Sequence, residues 1–151
     1  MRLLNQLVVS AVIAGLIFFI GGCHSHIPHA SADEVARVTS PNGLVDAVLT
    51  ESNGGATTSF GYDVSVAPHG SSEAHEVANL YGATRSPQAY GVNLHWASPD
   101  HLDVEFLSTK TPPTLHSPMV VGEKNITVTL RSGVIDTAAP PGGMLYNLKR
   151  R

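Results

Sequence analysis

The sequence predicts an all-β domain, a single small antiparallel β-sandwich, meander or open barrel, spanning residues 34–151. Two observations carry that expectation. Four segments alternate apolar and polar residues with period two, as strands with one buried face do. Beyond residue 33, no window repeats its apolar residues every three to four positions, as a core-facing helix would. One polar face per strand is the antiparallel pattern, because parallel sheets are covered on both sides.

The elements follow in chain order. Arg2 and a short polar region holding Asn5 and Gln6 precede an apolar run from Leu7 to Ile20, diluted by Ser10 and Gly15. A charged start, a short apolar stretch and small residues at its end mark a secretion signal over residues 1–22. The run falls short of the roughly 20 apolar residues of a membrane span, and no basic stop-transfer cluster follows it. Its end, Ile20-Gly21-Gly22-Cys23, resembles the lipobox of bacterial lipoproteins. That resemblance implies cleavage before Cys23, acylation of its thiol and new amine, and a membrane anchor through that lipid. Several acyl chains hold a protein firmly where one holds it marginally. Cys23 is the single cysteine, so the exported part has no disulfide, and lipidation accounts for a lone thiol in an oxidising compartment. His24 stands where the Gram-negative sorting pattern retains aspartate, which by resemblance implies the outer membrane, with the domain facing the periplasm.

Residues 23–33 carry His24, His26, Pro28 and His29 without apolar periodicity and read as a flexible tether. Strands are expected at residues 35–39 and 44–50, joined by the turn Ser40-Pro41-Asn42-Gly43. A wide glycine-rich loop then leads to Tyr62, Val64 and Val66, which alternate with Asp63 and Ser65. A weaker strand at 75–80 follows. Val92, Leu94 and Trp96 alternate with Asn93 and His95; Leu102, Val104 and Phe106 alternate with Asp103 and Glu105. Ile126, Val128 and Leu130 alternate with Thr127 and Thr129. Prolines make loops of residues 111–118 and 138–144.

The turn Ser98-Pro99-Asp100-His101 is similar enough to Ser40–Gly43 to suggest a weak internal repeat. Proline presets φ at the second turn position, and Asn or Asp tolerates the third. Both turns resemble the Ser-Pro-Asp-Gly hairpins of propeller blades in the TolB-type, WD40-like families. The chain is too short for a propeller, so the resemblance implies the hairpin alone. Parity then sets a register. Trp96 and Leu102 both point inward, so His95 lies opposite Asp103 or Glu105 on the outer face.

Without its signal the chain has about 130 residues, enough for one domain with a real core. It carries eight Lys+Arg against twelve Asp+Glu, a formal net charge of −4. That acidity argues against nucleic acid as a partner, since phosphate binding needs a basic surface. The Lys149-Arg150-Arg151 cluster reads as a short solvated tail, with contact to acidic lipid heads as the alternative.

Catalytic readings are poor. No Gly-x-Ser-x-Gly elbow exists, and lipidation removes the one cysteine nucleophile. His75-Glu76-Val77-Ala78-Asn79 misses the helical zinc-protease pattern because its fifth residue is not histidine. Asn125-Ile126-Thr127 is an incidental glycosylation sequon, and Trp96 reads as core. His24, His26, His29, His116 and Met119 offer loose metal donors at best, because an unstructured cluster pays ordering entropy on binding. His95, Asp103 and Glu105 form the best polar patch, a metal edge or an acid–base pair. The plainer reading is an exposed cross-strand pair worth a few tenths of a kcal/mol. With no further ligand nearby, no metal or cofactor is expected.

The candidate binding loop is Asn53-Gly54-Gly55-Ala56-Thr57-Thr58-Ser59. Its glycines free the backbone to present N–H groups, followed by three hydroxyls that could cradle an anion or a sugar. The plainer reading is a hairpin loop, and it lacks the lysine and helix of a phosphate loop. The turn Ser40–Gly43, strand Asp46-Ala47-Val48-Leu49, loop Gly54–Ser59, Gly61-Tyr62 and Gly91-Val92-Asn93-Leu94 leading to Trp96 together resemble a group of small uncharacterised bacterial lipoproteins. That resemblance implies a β fold in the envelope and no particular activity. The resulting expectation is a non-enzymatic, tethered module that binds another envelope protein, with small-ligand, glycan or metal binding as the alternative.

Overall fold

The computed structural model describes residues 31–136. The signal expected at residues 1–22, Cys23, the histidines His24, His26 and His29 and the loop expected at 138–144 lie outside the described residues. Within them the chain forms β1 (Ser31–Thr39), β2 (Val45–Asn53), β3 (Gly61–Pro68), β4 (His75–Tyr81), β5 (Arg85–Ser86), β6 (Ala89–Tyr90), β7 (Val92–Ser98), β8 (His101–Phe106), β9 (Thr114–Leu115), β10 (Met119–Val121) and β11 (Lys124–Ser132). Among the described residues there is no helix, and the fold is all-β. One sheet runs β1-β2-β3-β4-β9 and a second runs β10-β11-β8-β7, with β5-β6 as a small hairpin. Among the described residues both large sheets end in free edges, so no closed barrel forms.

Each predicted alternation puts its apolar residues into one core shared by the two sheets. Tyr62, Val64 and Val66 from β3 and Leu102 and Val104 from β8 are fully buried, as are Leu49, Leu80, Val92 and Ile126. Burying a side chain of that size contributes roughly 1.5–3 kcal/mol, which makes this shared layer the main source of stability. The two sheets are the layers of a sandwich. Trp96 ties them together at one side: it is almost fully buried, and its Nε1–H donates to the Val38 carbonyl of β1 at 2.9 Å.

The proposed register holds. His95 faces Asp103, and Trp96 faces Leu102 across the β7–β8 hairpin. The two Ser-Pro turns are built alike: the Ser40 hydroxyl donates to Asn42 at 2.8 Å and the Ser98 hydroxyl donates to Asp100 at 2.5 Å.

Four expectations need correction. The strands are not all antiparallel: β11 pairs β8 in parallel, Val128 beside Leu102 and Leu130 beside Val104. The long crossover after β8 allows this, because the chain crosses to the first sheet for β9 before returning through β10. Residues 111–118 are not wholly loop, since Thr114 and Leu115 pair with Asn79 and Ala78. The tether expected at residues 23–33 overlaps the domain: Ser31, Ala32 and Asp33 already pair with Asn53, Ser52 and Glu51. Asp103 lies on the outer face as parity requires, but it is buried, at 2% exposure.

The first sheet carries a similar buried carboxylate. Asp46 sits on the outer face of β2 at 1% exposure, under the turn after β3. It accepts from Thr39 Oγ1 at 2.9 Å, Gly70 N–H at 3.0 Å and Arg37 Nη1 at 3.2 Å, and its Oδ1 lies 2.8 Å from His69 Nδ1. A buried charge is tolerated only when so satisfied.

Candidate functional site

Three chain segments meet at one end of the first sheet. The run entering β3, the segment after β4 and the strap before β9 are stitched together by backbone hydrogen bonds. Gly82 N–H donates to Phe60 O at 2.8 Å, Thr84 N–H to Ser108 O at 2.9 Å and Lys110 N–H to Tyr81 O at 3.0 Å. Between them lies a cleft of about 450 Å³, within the range of small-ligand sites. Its walls carry the hydroxyls of Thr58, Ser59, Thr84, Ser108 and Thr109, the ring of Phe60 and the cations Arg85 and Lys110. No carboxylate or imidazole lines it among the described residues.

Arg85 is fixed before any ligand arrives. Its guanidinium carbon lies 4.0 Å from the Phe60 ring centroid, a cation–π contact. Its Nη1 lies 3.4 Å from Glu51 Oε2, a charge contact that lacks hydrogen-bond geometry. Glu51 is itself 7% exposed, among the phenols of Tyr62 and Tyr90. Burial pushes both phenols above the usual tyrosine range, and the negative charge of Glu51 acts the same way, so both stay protonated.

Lys110 is placed by Gly82. That glycine has φ +68°, and a Cβ there would stand 2.7 Å from Lys110 Cγ and 2.9 Å from its Cβ and Cδ. The lysine stem lies flat across the space that only glycine leaves. Gly82→Ala is therefore expected to strain the backbone, lower stability by about 1–2 kcal/mol and displace Lys110 from the cleft. Denaturant unfolding checks the first effect, and ligand titration of the folded fraction checks the second.

The candidate loop contributes only in part. Thr58 and Ser59 line the cleft; Asn53, Gly54, Gly55 and Thr57 do not. Three of the loop's N–H groups already have partners. Gly55 N–H donates to Asn53 Oδ1 at 2.9 Å, Thr58 N–H to Gly55 O at 3.2 Å and Ser59 N–H to the Tyr81 hydroxyl at 3.0 Å. The loop gives the cleft two hydroxyl-bearing residues, and the N–H groups of Gly55, Thr58 and Ser59 are spent within the protein.

Sequence reading missed Arg85, Lys110 and Phe60. A signal existed: Thr84-Arg85 and Ser108-Thr109-Lys110 both set hydroxyls beside a cation, in a chain with only nine Lys+Arg.

The second polar patch lies on the outer face of the other sheet. Donor atoms of His95, Asp103 and Glu105 lie within 4.8 Å of one another. Asp103 also accepts from Arg131 Nε at 2.7 Å, and this hydrogen bond, with the aspartate's charge, raises the arginine pKa. The segment His75–Tyr81 is a strand, so His75 and Asn79 cannot form one helical turn. His116 lies next to β9, its N–H donating to Val77 O at 2.8 Å.

No protein family matches this chain, and no curated protein or solved structure is similar enough to it to count as a relative.

Proposed function

We propose that this chain is a non-enzymatic, lipid-tethered envelope protein whose β-sandwich binds a small anionic ligand, a sugar acid or sugar phosphate. The observation that carries the reading is the composition of the cleft: two cations, of which Arg85 is held by Phe60 and Glu51, and five hydroxyl-bearing residues, with no acidic group in the lining. Cations select a carboxylate or phosphate, and hydroxyls suit the polyol part of a carbohydrate. The cleft pairs no nucleophile with a base, which favours binding over turnover. The anchor rests on Ile20-Gly21-Gly22-Cys23 and its resemblance to the lipobox, and His24 supports the outer membrane with the domain in the periplasm. The resemblance to small bacterial lipoproteins points to the same compartment.

Calorimetric titration with hexuronates and sugar phosphates is expected to give binding that weakens as salt is added. Lys110 is exposed, so Lys110→Ala should leave thermal unfolding nearly unchanged while lowering affinity about tenfold, the equivalent of one charge-assisted hydrogen bond. Equal binding of neutral and acidic sugars, or no binding at millimolar ligand, would count against the reading.

A protein partner is the second reading. It is favoured by Leu115 and Val120, 41% and 65% exposed on the edge strands β9 and β10. Exposed edges and apolar side chains invite association. A crosslinked envelope protein that is lost on Leu115→Glu, with the cleft intact, would move the weight there.

A further inference from the structure

The polar face of β7, β8 and β11 holds a constellation that the cleft does not use. His95 and Asp103 are direct cross-strand partners, and Glu105 lies two residues beyond Asp103 on the same face. The three side chains offer one imidazole nitrogen and two carboxylate oxygens, all within 4.8 Å of one another. Zinc-class bonds of about 2.0–2.2 Å place tetrahedral donors about 3.5 Å apart. Closing that gap needs only small rotations, and the right residues are free to make them. His95 is exposed and Glu105 is half-buried, whereas Asp103 is fixed.

Asp103 supplies a second, independent indication. Its side chain is 3% exposed, and Oδ2 is held by Arg131. Its Oδ1 is buried and accepts no hydrogen bond. His101 Nε2 lies 3.4 Å from it, beyond good hydrogen-bond reach, and engages Thr129 Oγ1 at 2.9 Å. A buried carboxylate oxygen without a partner is costly, and a cation at the patch would supply one. Arg131 opposes a cation by its charge, yet Asp103 and Glu105 together leave the patch net negative. The arginine also orients the ligating carboxylate, as groups around bound metals commonly do.

We infer that His95, Asp103 and Glu105 bind a divalent transition-metal cation of the zinc class, with water completing its shell. The imidazole favours zinc, copper or nickel over calcium and magnesium, which prefer oxygen ligands throughout. The site is separate from the anionic-ligand cleft and does not depend on it.

The test is calorimetric titration of the metal-free full chain with zinc chloride alone. His24, His26 and His29 are replaced by alanine throughout, so that the histidines ahead of the domain do not contribute. The expected result is one zinc ion per chain at micromolar affinity, with a thermal midpoint that rises on binding. His95→Ala and Glu105→Gln should each weaken binding by about tenfold or more, without changing the circular dichroism of the metal-free chain. Absence of zinc binding overturns the inference. So does binding that survives the double variant His95→Ala/Glu105→Gln, or calcium binding as tight as zinc.

Discussion

Replacing Asp46 by asparagine is expected to lower the unfolding free energy by about 3 kcal/mol, a large share of the roughly 5–15 kcal/mol that holds a domain of this size. The carboxylate is 2% exposed and meets four groups: Thr39 and Arg37 on β1, and His69 and the Gly70 amide in the turn after β3. Arg37 is not the reason for the magnitude. It keeps two 2.8 Å contacts to Glu34 in the variant, so its charge is not stranded. The loss falls on His69, Gly70 and Thr39, because an amide cannot accept at both of its ends. Glu34→Ala, by contrast, removes an exposed partner and should cost at most about 1 kcal/mol.

The pH dependence distinguishes Asp46 as well. Burial alone would raise its pKa, but donation from His69, Gly70, Thr39 and Arg37 outweighs burial and holds the carboxyl well below the usual carboxylate range. A folded pKa below the unfolded one means the contribution is complete above the unfolded value of about 3.9. It is lost as pH falls below that value toward the folded pKa. Wild-type stability should therefore decline below about pH 4, and Asp46→Asn should flatten that part of the profile. Urea unfolding from pH 7 down to pH 2, with an unchanged m-value, is the measurement. Equal midpoints for the two proteins at neutral pH would show that the turn over Asp46 is held by something else.

The legible part of this fold is the part encoded locally. Alternation located β3, β7, β8 and β11, because a half-buried strand writes its own period into the chain. Parity placed His95 opposite Asp103 or Glu105, and the first of these is its partner. Direction is not written in this way: a strand with one polar face looks the same whether its neighbour runs with it or against it, so the general expectation of antiparallel strands misses the parallel β8–β11 pair. Nor is burial by distant groups. Asp103 alternates like an exposed residue, yet Arg131 covers it from β11, and Asp46 is covered by the turn holding His69 and Gly70. The cleft shows the same limit. Thr58 and Ser59 were visible in a glycine-rich loop, but Arg85 and Lys110 reach them only through tertiary hydrogen bonds between segments far apart in sequence. Short edge strands such as β9 escape because two residues are too few to show a period.

Trp96→Ala should be the most damaging single truncation, costing about 3–5 kcal/mol, as loss of a buried tryptophan does. Its ring belongs to the second sheet, but its Nε1–H reaches the Val38 carbonyl of the first. The residue therefore fills core volume and also fixes how the β7 edge sits on β1. Trp96→Phe separates the two roles. Phenylalanine keeps most of the apolar contact and leaves the Val38 carbonyl without its donor, so about 1–2 kcal/mol of the loss should remain. Trp96 is the only tryptophan, so unfolding of both variants must be followed by circular dichroism, with fluorescence kept for the wild type. If phenylalanine is as damaging as alanine, the hydrogen bond between sheets outweighs packing at this edge. If it is harmless, the indole acts by volume alone. An intermediate loss means that the same side chain supplies both the core filling and the lock between the two sheets, the arrangement that its position on β7 and its bond to β1 predict.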